Sequence, residues 1–367
     1  MSIKLNYSFF SETSPGAPYG EIQLQNPVFE VLAAIRDQGS IGKAASALGF
    51  SYRYMWGFLK KQEEAFGHSL LASTQGQAAR LSDFGERLLW AEKKMLARFL
   101  PEAESLAAKL DRELLLAVEP DLRLLPVFGS HDLLFPALRD RLQRHARVLL
   151  DIGYVSSLQA LEKLNDGACQ LAGIHLPLED ERLCRRGSVI HLALGRQLRL
   201  ADHKLIRFVV REQGLMVAPG NPLGLSGLSD LGRDEVDFVN RAEGSGTRLL
   251  LDELLVLAGM SAHRIAGYGL EEPTHMSVAA SVAAGHANCG FGLRAAAERF
   301  GLGFVPLVSE QYFLVCRKEA LESEVTQAVL DVLRSDDFSR LAAAVPGYTA
   351  AGSGEIVSLR RTLPWYR

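Results

Sequence analysis

From Leu114 to about residue 345, short apolar runs alternate with amphipathic stretches, and this alternation restricts the fold more than any other feature of the chain. The apolar runs are Leu114–Val118, Leu149–Tyr154, Leu171–Ile174, Phe208–Ala218, Val236–Asn240 and Phe313–Cys316. Between them, helical spacing of apolar residues marks Leu133–Arg144, Leu158–Asp166, Thr247–Ala258 and His275–Ala284. Strands alternating with helices over such a length predict an α/β architecture.

The 367 residues exceed one ordinary domain, and 48% hydrophobic with 23% charged residues describes a soluble chain able to bury real cores. No apolar run approaches the roughly 18–20 residues that span a bilayer. The start, Met1 to Tyr7, lacks the apolar core of a signal peptide. Cys169, Cys184, Cys289 and Cys316 are scattered without metal spacing and read as reduced thiols. A cytoplasmic protein without membrane association is therefore expected. The net charge of −3 is uneven: residues 28–100 hold ten Lys/Arg against seven Asp/Glu, a mildly basic head on an acidic body.

The head has its own pattern. Residues 1–27 read as an extended lead-in rich in turn formers. From Val28 a helical pattern runs to Gly39; Ser40 then stands as the N-cap of Ile41–Leu48, and Ser51 as the N-cap of a longer helix from Tyr52 to about Phe66. Two helices joined by Gly49-Phe50 give a helix-turn-helix outline. Leu70 to Leu81 reads as a hairpin wing with a polar tip. After Ser82, the residues Phe84, Leu88, Leu89, Met95, Leu96 and Phe99 form an apolar stripe suited to a partner subunit, with a kink or break expected at Pro101.

In the second helix of the pair, Met55, Leu59 and Phe66 share one face, while Tyr52, Arg53, Trp56 and Lys60 share the other. Cations mixed with hydrogen-bonding aromatics suit a helix in a major groove. Arg53 lies in the first turn, where base edges are reached; Lys60, Lys61 and Arg80 are phosphate candidates. The same spacing also fits a solvated helix of a bundle, with Trp56 in its core.

The block Gly39-Ser40-Ile41-Gly42-Lys43-Ala44-Ala45-Ser46-Ala47-Leu48-Gly49-Phe50-Ser51-Tyr52 resembles the head of ModE-type molybdate regulators and their LysR-type relatives. Leu81-Ser82-Asp83-Phe84-Gly85 resembles their wing-to-linker junction. The resemblance implies a winged helix that dimerises through a long linker helix and binds double-stranded DNA at a pseudo-palindromic operator, as a homodimer or homotetramer.

Four segments of the second half place small or hydroxylated residues where a strand gives way to a helix: Ser130-His131, Ser156-Ser157, Gly244-Ser245-Gly246-Thr247-Arg248 and Thr274-His275. Helix N-termini carry unpaired N–H groups and partial positive charge, so the four together predict a small-anion site; each alone fits ordinary capping. The glycine-bearing run lacks the lysine and spacing of a Walker loop, and Ser245 is not in a nucleophile elbow. No two of His131, His175 and His275 have the spacing of helix-face metal ligands, so neither a metal site nor a resident cofactor is expected. No acid/base pair stands beside a nucleophile, so no catalytic residue is assigned.

The segments Asp151–Leu176, Gly214–Pro222, Glu243–Arg248, Val278–Gly292 and Phe304–Leu307 resemble the periplasmic-binding-protein-like domain of some bacterial regulators. That likeness implies two hinged lobes with the ligand between them. The expected plan is a winged helix over 1–81, a linker and dimerisation helix over 82–112, a two-lobed domain over 113–350 with its second lobe at about 205–290, and a tail over 351–367. The expected function is transcription regulation by a small anion, either a molybdate- or tungstate-type oxyanion or a formate-like carboxylate. A cytoplasmic solute-binding protein and an enzyme of oxyanion or molybdenum-cofactor metabolism are the alternatives. ModE-type regulators carry a different, oligomer-binding-fold molybdate domain, so their ligand does not transfer.

Overall fold

The computed structural model describes residues 26–72, 78–119, 121–177 and 180–366. They form two compact units, 26–97 and 98–366. The lead-in up to residue 25 and the wing tip at 73–77 lie outside the described residues.

The first unit is built by capping and a small core. Helix α1 (Pro27–Gln38) has Pro27 in its first turn and ends at Gly39, whose φ of 60° closes the helix in the left-handed region. Ser40 caps α2 (Ile41–Ala47), and Ser51 caps α3 (Tyr52–Phe66) by accepting from the Tyr54 N–H. Val31, Leu32, Ile35, Ala44, Ala45, Met55, Leu59, Leu70 and Leu89 bury together as one core. The base of the wing is closed by a bridge between Leu71 and Leu81. Helix α4 (Asp83–Val118) starts where Ser82 Oγ accepts from the Gly85 N–H, at 3.0 Å. A side chain at Gly85 would put its Cβ 2.4 Å from the Leu70 carbonyl oxygen, so the helix passes the wing this closely only with glycine there.

Helix α4 continues through Pro101 as one element, so no break into two helices occurs there. Leu114–Val118 is the end of this helix and not the first strand; an apolar run of that length fits either state, and the helix already in progress decides it.

The second unit holds a ten-stranded mixed sheet. In chain order its elements are β1 (Arg123–Gly129), α5 (Phe135–Ala146), β2 (Val148–Tyr154), α6 (Ser157–Asn165), β3 (Leu171–Leu176), α7 (Val189–Leu194) and β4 (His203–Val217). There follow β5 (Phe238–Arg241), α8 (Gly246–Leu257), β6 (Glu271–Glu272), α9 (His275–Ala283), β7 (Cys289–Leu293), α10 (Arg294–Arg299) and β8 (Gly303–Arg317). The chain closes with α11 (Glu324–Leu333), α12 (Asp336–Ala343), β9 (Tyr348–Thr349), β10 (Ile356–Ser358) and α13 (Leu359–Thr362). The strand order is β2-β1-β3-β8-β4-β7-β5-β6, with β9 and β10 both on β4.

Strands β4 and β8, fifteen residues each, pair antiparallel and run through both lobes. One lobe is the parallel set β2-β1-β3; the other is β7-β5-β6. The pairing of β4 with β8 slips twice, between Arg207 and Val209 and between Gln213 and Gly214. Such bulges bend and twist a strand, and here they bracket the stretch that crosses between the lobes.

Candidate functional sites

Helix α3 turns Met55 and Leu59 into the core and leaves a polar-aromatic face in the open. Tyr52 is 56% exposed, Tyr54 57% and Trp56 42%, which removes the core reading of Trp56. The Tyr52 and Trp56 rings lie stacked at 6.3 Å, and Lys60 Nζ sits 5.2 Å from the Trp56 ring while pairing with Glu63 at 2.8 Å. Arg53, Lys61 and Arg80 are exposed and, among the described residues, have no ion-pair partner. Ser40 and Ser51 use their side chains as caps. The face is thus a set of uncommitted cations beside preordered aromatic rings, as groove binding requires.

In the second unit the charges sit where the crossing strands meet the C-terminal ends of β1, β3 and β5. Arg211 on β4 is fully buried. Its guanidinium donates to Asp132 Oδ2 at 2.8 Å, to Glu310 Oε1 from Nε at 3.0 Å, and to His175 Nδ1 at 2.7 Å. Burial alone would lower its pKa, but Glu310, Tyr348 and Asp132 outweigh burial and the pKa rises. Tyr348 donates its hydroxyl to Asp132 at 3.1 Å, and Tyr312 donates to the Ser130 carbonyl at 3.0 Å. Because guanidinium nitrogens only donate, His175 Nδ1 must be the acceptor and Nε2 carries the proton, which points at Ser130 Oγ, 2.9 Å away. Burial first, then Arg211 and Arg241, hold this imidazole neutral with its pKa well below the usual value.

Arg241, at the end of β5, is only 7% exposed and has no carboxylate within ion-pair distance among the described residues. Its Nε has no hydrogen-bond partner, and NH1 reaches only the Glu272 carbonyl oxygen, at 3.5 Å. The Glu272 carboxylate accepts from Arg98 at 2.7 Å and Ser281 at 2.9 Å. Burial and then the neighbouring Arg211 push the Arg241 pKa down to about 10, against a pull from Glu310. A buried charge without a counter-ion is costly. His275 at the start of α9 has Nε2 3.4 Å from Thr247 Oγ1 and a buried Nδ1 without a partner. Further buried polar atoms without partners are Ser157 Oγ and both side-chain atoms of Gln213, which shares a strand face with Arg211.

The four predicted segments divide by what their side chains do. Ser130, Thr247 and His275 join the cluster, and Gly246 starts α8 so close to His175 that a Cβ would lie 2.9 Å from its ring. His131 lies against Tyr154, with ring centroids 5.0 Å apart and planes tilted by 58°. Ser156, Ser245 and Thr274 use their hydroxyls as N-caps of α6, α8 and α9, while Ser157 is buried behind the α6 cap. Gly244 supplies a turn at φ 76°. Arg248 pairs with Asp252 and Glu271 at 3.1 Å each and lies over Tyr268, whereas Arg241 has no carboxylate partner among the described residues. Sequence reading passed over Arg211, Arg241 and Glu310, although charged residues inside otherwise buried strands were the available signal. No group of three or more His, Cys, Asp or Glu is arranged to hold a metal among the described residues.

Comparison with known proteins gives both halves a family. Residues 139–334, more than half the chain, match the PBP superfamily domain, and residues 28–86 match the bacterial regulatory helix-turn-helix protein, lysR family. An uncharacterised Bacillus subtilis protein, YvgK, is 29% identical over 255 residues, covering 70% of this chain and 80% of that protein. An uncharacterised Clostridium pasteurianum protein, from the 5′ region of a 2Fe-2S ferredoxin gene, is 33% identical over 115 residues, 30% of this chain and 98% of its own length. Among solved structures, a Corynebacterium glutamicum OxyR variant with bound hydrogen peroxide is similar at 17% identity and a TM-score of 0.42, covering 83% of this chain and 92% of that one. The chain belongs to the PBP superfamily through its larger unit and carries a lysR-family helix-turn-helix head, the make-up of a LysR-type DNA-binding transcriptional regulator with a periplasmic-binding-protein-like effector domain.

Proposed function

We propose that this regulator senses a small anion held between the lobes of the second unit, and that the bound anion alters promoter binding. The observation that carries the reading is Arg241, a buried guanidinium with no carboxylate partner among the described residues, near the N-termini of α8 and α9. Each of these groups donates, so the complementary ligand is an acceptor-rich anion. Molybdate or tungstate and a formate-like carboxylate both fit that description. The apolar residues exposed along α4, among them Leu106, Leu110 and Leu114, support self-association through this helix, and with it a homodimer or homotetramer on a pseudo-palindromic operator.

The test is titration of the anions into the full chain, read by calorimetry and by retardation of promoter DNA. A saturable anion that binds wild type and shifts DNA affinity supports the reading; anion binding that survives unchanged in Arg241→Met refutes it.

A further inference from the structure

We propose that the anion enters the cleft together with a proton, which His275 takes on Nδ1, so that an imidazolium joins Arg241 in holding the ligand. The inference rests on the anion-binding reading of the cleft. His275 Nδ1 is buried and bonded to nothing, and residue 292 opposite it is a glycine, whose Cβ, if it had one, would lie 3.0 Å from this nitrogen. Thr247 on α8 lies against Nε2, and the charged or titratable groups whose fields reach the ring are Arg241 on β5, Arg211 on β4, His175 on β3 and His131 after β1. None of these is a carboxylate, and the nearby Asp132 and Glu310 are engaged by Arg211.

Burial and then Arg241, Arg211, His175 and His131 hold His275 neutral, with its pKa well below the usual 6.5. An anion set beside the two arginines reverses the local field and favours the charged ring. His175 cannot serve instead. Its Nδ1 accepts from Arg211 and its Nε2 faces Ser130, so a second proton would break the Arg211 bond. Of these two rings, His275 is the one with a nitrogen to spare.

The sign follows from linkage. The ring is neutral in the free protein and charged in the complex, so affinity rises as pH falls through the bound-state pKa, by at most about tenfold per pH unit. Above that pKa the dependence vanishes. The experiment is titration calorimetry of sodium formate and sodium molybdate into the full chain at mildly alkaline and mildly acidic pH, in buffers of different ionisation enthalpy. Both probes are fully ionised throughout, so any proton taken up goes to the protein. Uptake of about one proton per anion, with tightening of about tenfold at the lower pH, is expected. His275→Gln should abolish the uptake and bind more weakly at low pH, while His131→Gln should keep the uptake. Anion binding without proton uptake, or uptake that persists in His275→Gln, overturns this inference and leaves the anion site standing. Failure of both probes to bind overturns the anion reading as well.

Discussion

Replacing Arg241 with Met should make the ligand-free protein more stable and its complex less so. Burial, with Arg211 close by, moves the Arg241 pKa from 12.5 to about 10. A displacement of that size corresponds to about 3 kcal/mol by which the fold disfavours the charged form. Because the folded pKa is the depressed one, the penalty is present in full at neutral pH and fades only as pH rises through about 10. Methionine keeps much of the stem, removes the charge and loses only the long contact to the Glu272 carbonyl, at 3.5 Å. The net gain should be about 1–3 kcal/mol, in line with other replacements of buried charge. For a unit of this size that raises the melting temperature by about 3–8 °C.

The complex should respond in the opposite sense. Wild type at a hundredfold excess over Kd gains about 2.7 kcal/mol from the anion. Losing the partner of a buried charge costs about 2–5 kcal/mol, so Kd should rise about thirtyfold or more and the anion's stabilisation should fall to about 0.9 kcal/mol or less. Scanning calorimetry with and without the anion reads both effects. An Arg241→Met protein that melts below ligand-free wild type and is still fully stabilised by the anion would refute the claim that this guanidinium awaits one.

Arg53→Ala, at the exposed start of α3, should weaken cognate DNA binding by about 1–3 kcal/mol in fluorescence anisotropy; unchanged affinity would remove it from the interface. Gly85→Ala drives a methyl into the Leu70 carbonyl and should destabilise the first unit by about 1–3 kcal/mol in urea denaturation. Burial raises the Cys169 thiol to about 11 and the Cys184, Cys289 and Cys316 thiols to about 12, so none should react with a thiol reagent at neutral pH without unfolding. Ser130→Ala should weaken anion binding by about 1–3 kcal/mol, and an isotherm like that of wild type would mean the hydroxyl is aimed elsewhere.

Much of the fold could be read from the chain because its signals are local. Ser40, Ser51, Ser156, Ser245 and Thr274 each stand one residue ahead of a helix and bond to its first turn, so the element starts were written in single residues. The site was only half legible for the same reason. Its hydroxyls and glycines lie at these local junctions, but its charges lie inside strands. Arg211 meets Asp132 across 79 residues and Glu310 across 99, and no periodicity announces a contact of that separation. Arg248, sitting in the glycine-bearing run, drew attention to itself, yet Asp252 one helical turn away and Glu271 across the loop already claim it.

The two buried arginines of the cleft divide its labour through the direction of their hydrogen bonds. Arg211 is neutralised by Asp132 and Glu310, so it adds little net attraction for an anion; what it adds is polarity. It can only donate, which makes His175 Nδ1 the acceptor and Nε2–H the donor, and that proton satisfies Ser130 Oγ as an acceptor. The Ser130 hydroxyl hydrogen is then free to point outward. A chain of fixed bonds thus converts a buried ion pair into a donor at the mouth of the site, ready before any ligand arrives. Arg241, lacking a counter-ion, supplies the charge that this donor only orients. A ligand bearing its own donor at the same place would face Ser130 hydrogen to hydrogen, unless the whole chain back to Arg211 were broken. On the proposed anion reading, acceptors are selected by this preorganised direction and anions by the unpaired charge of Arg241. These are separable properties, which is why removing Ser130 Oγ and removing the Arg241 charge should differ in their effect on the ligand-free fold.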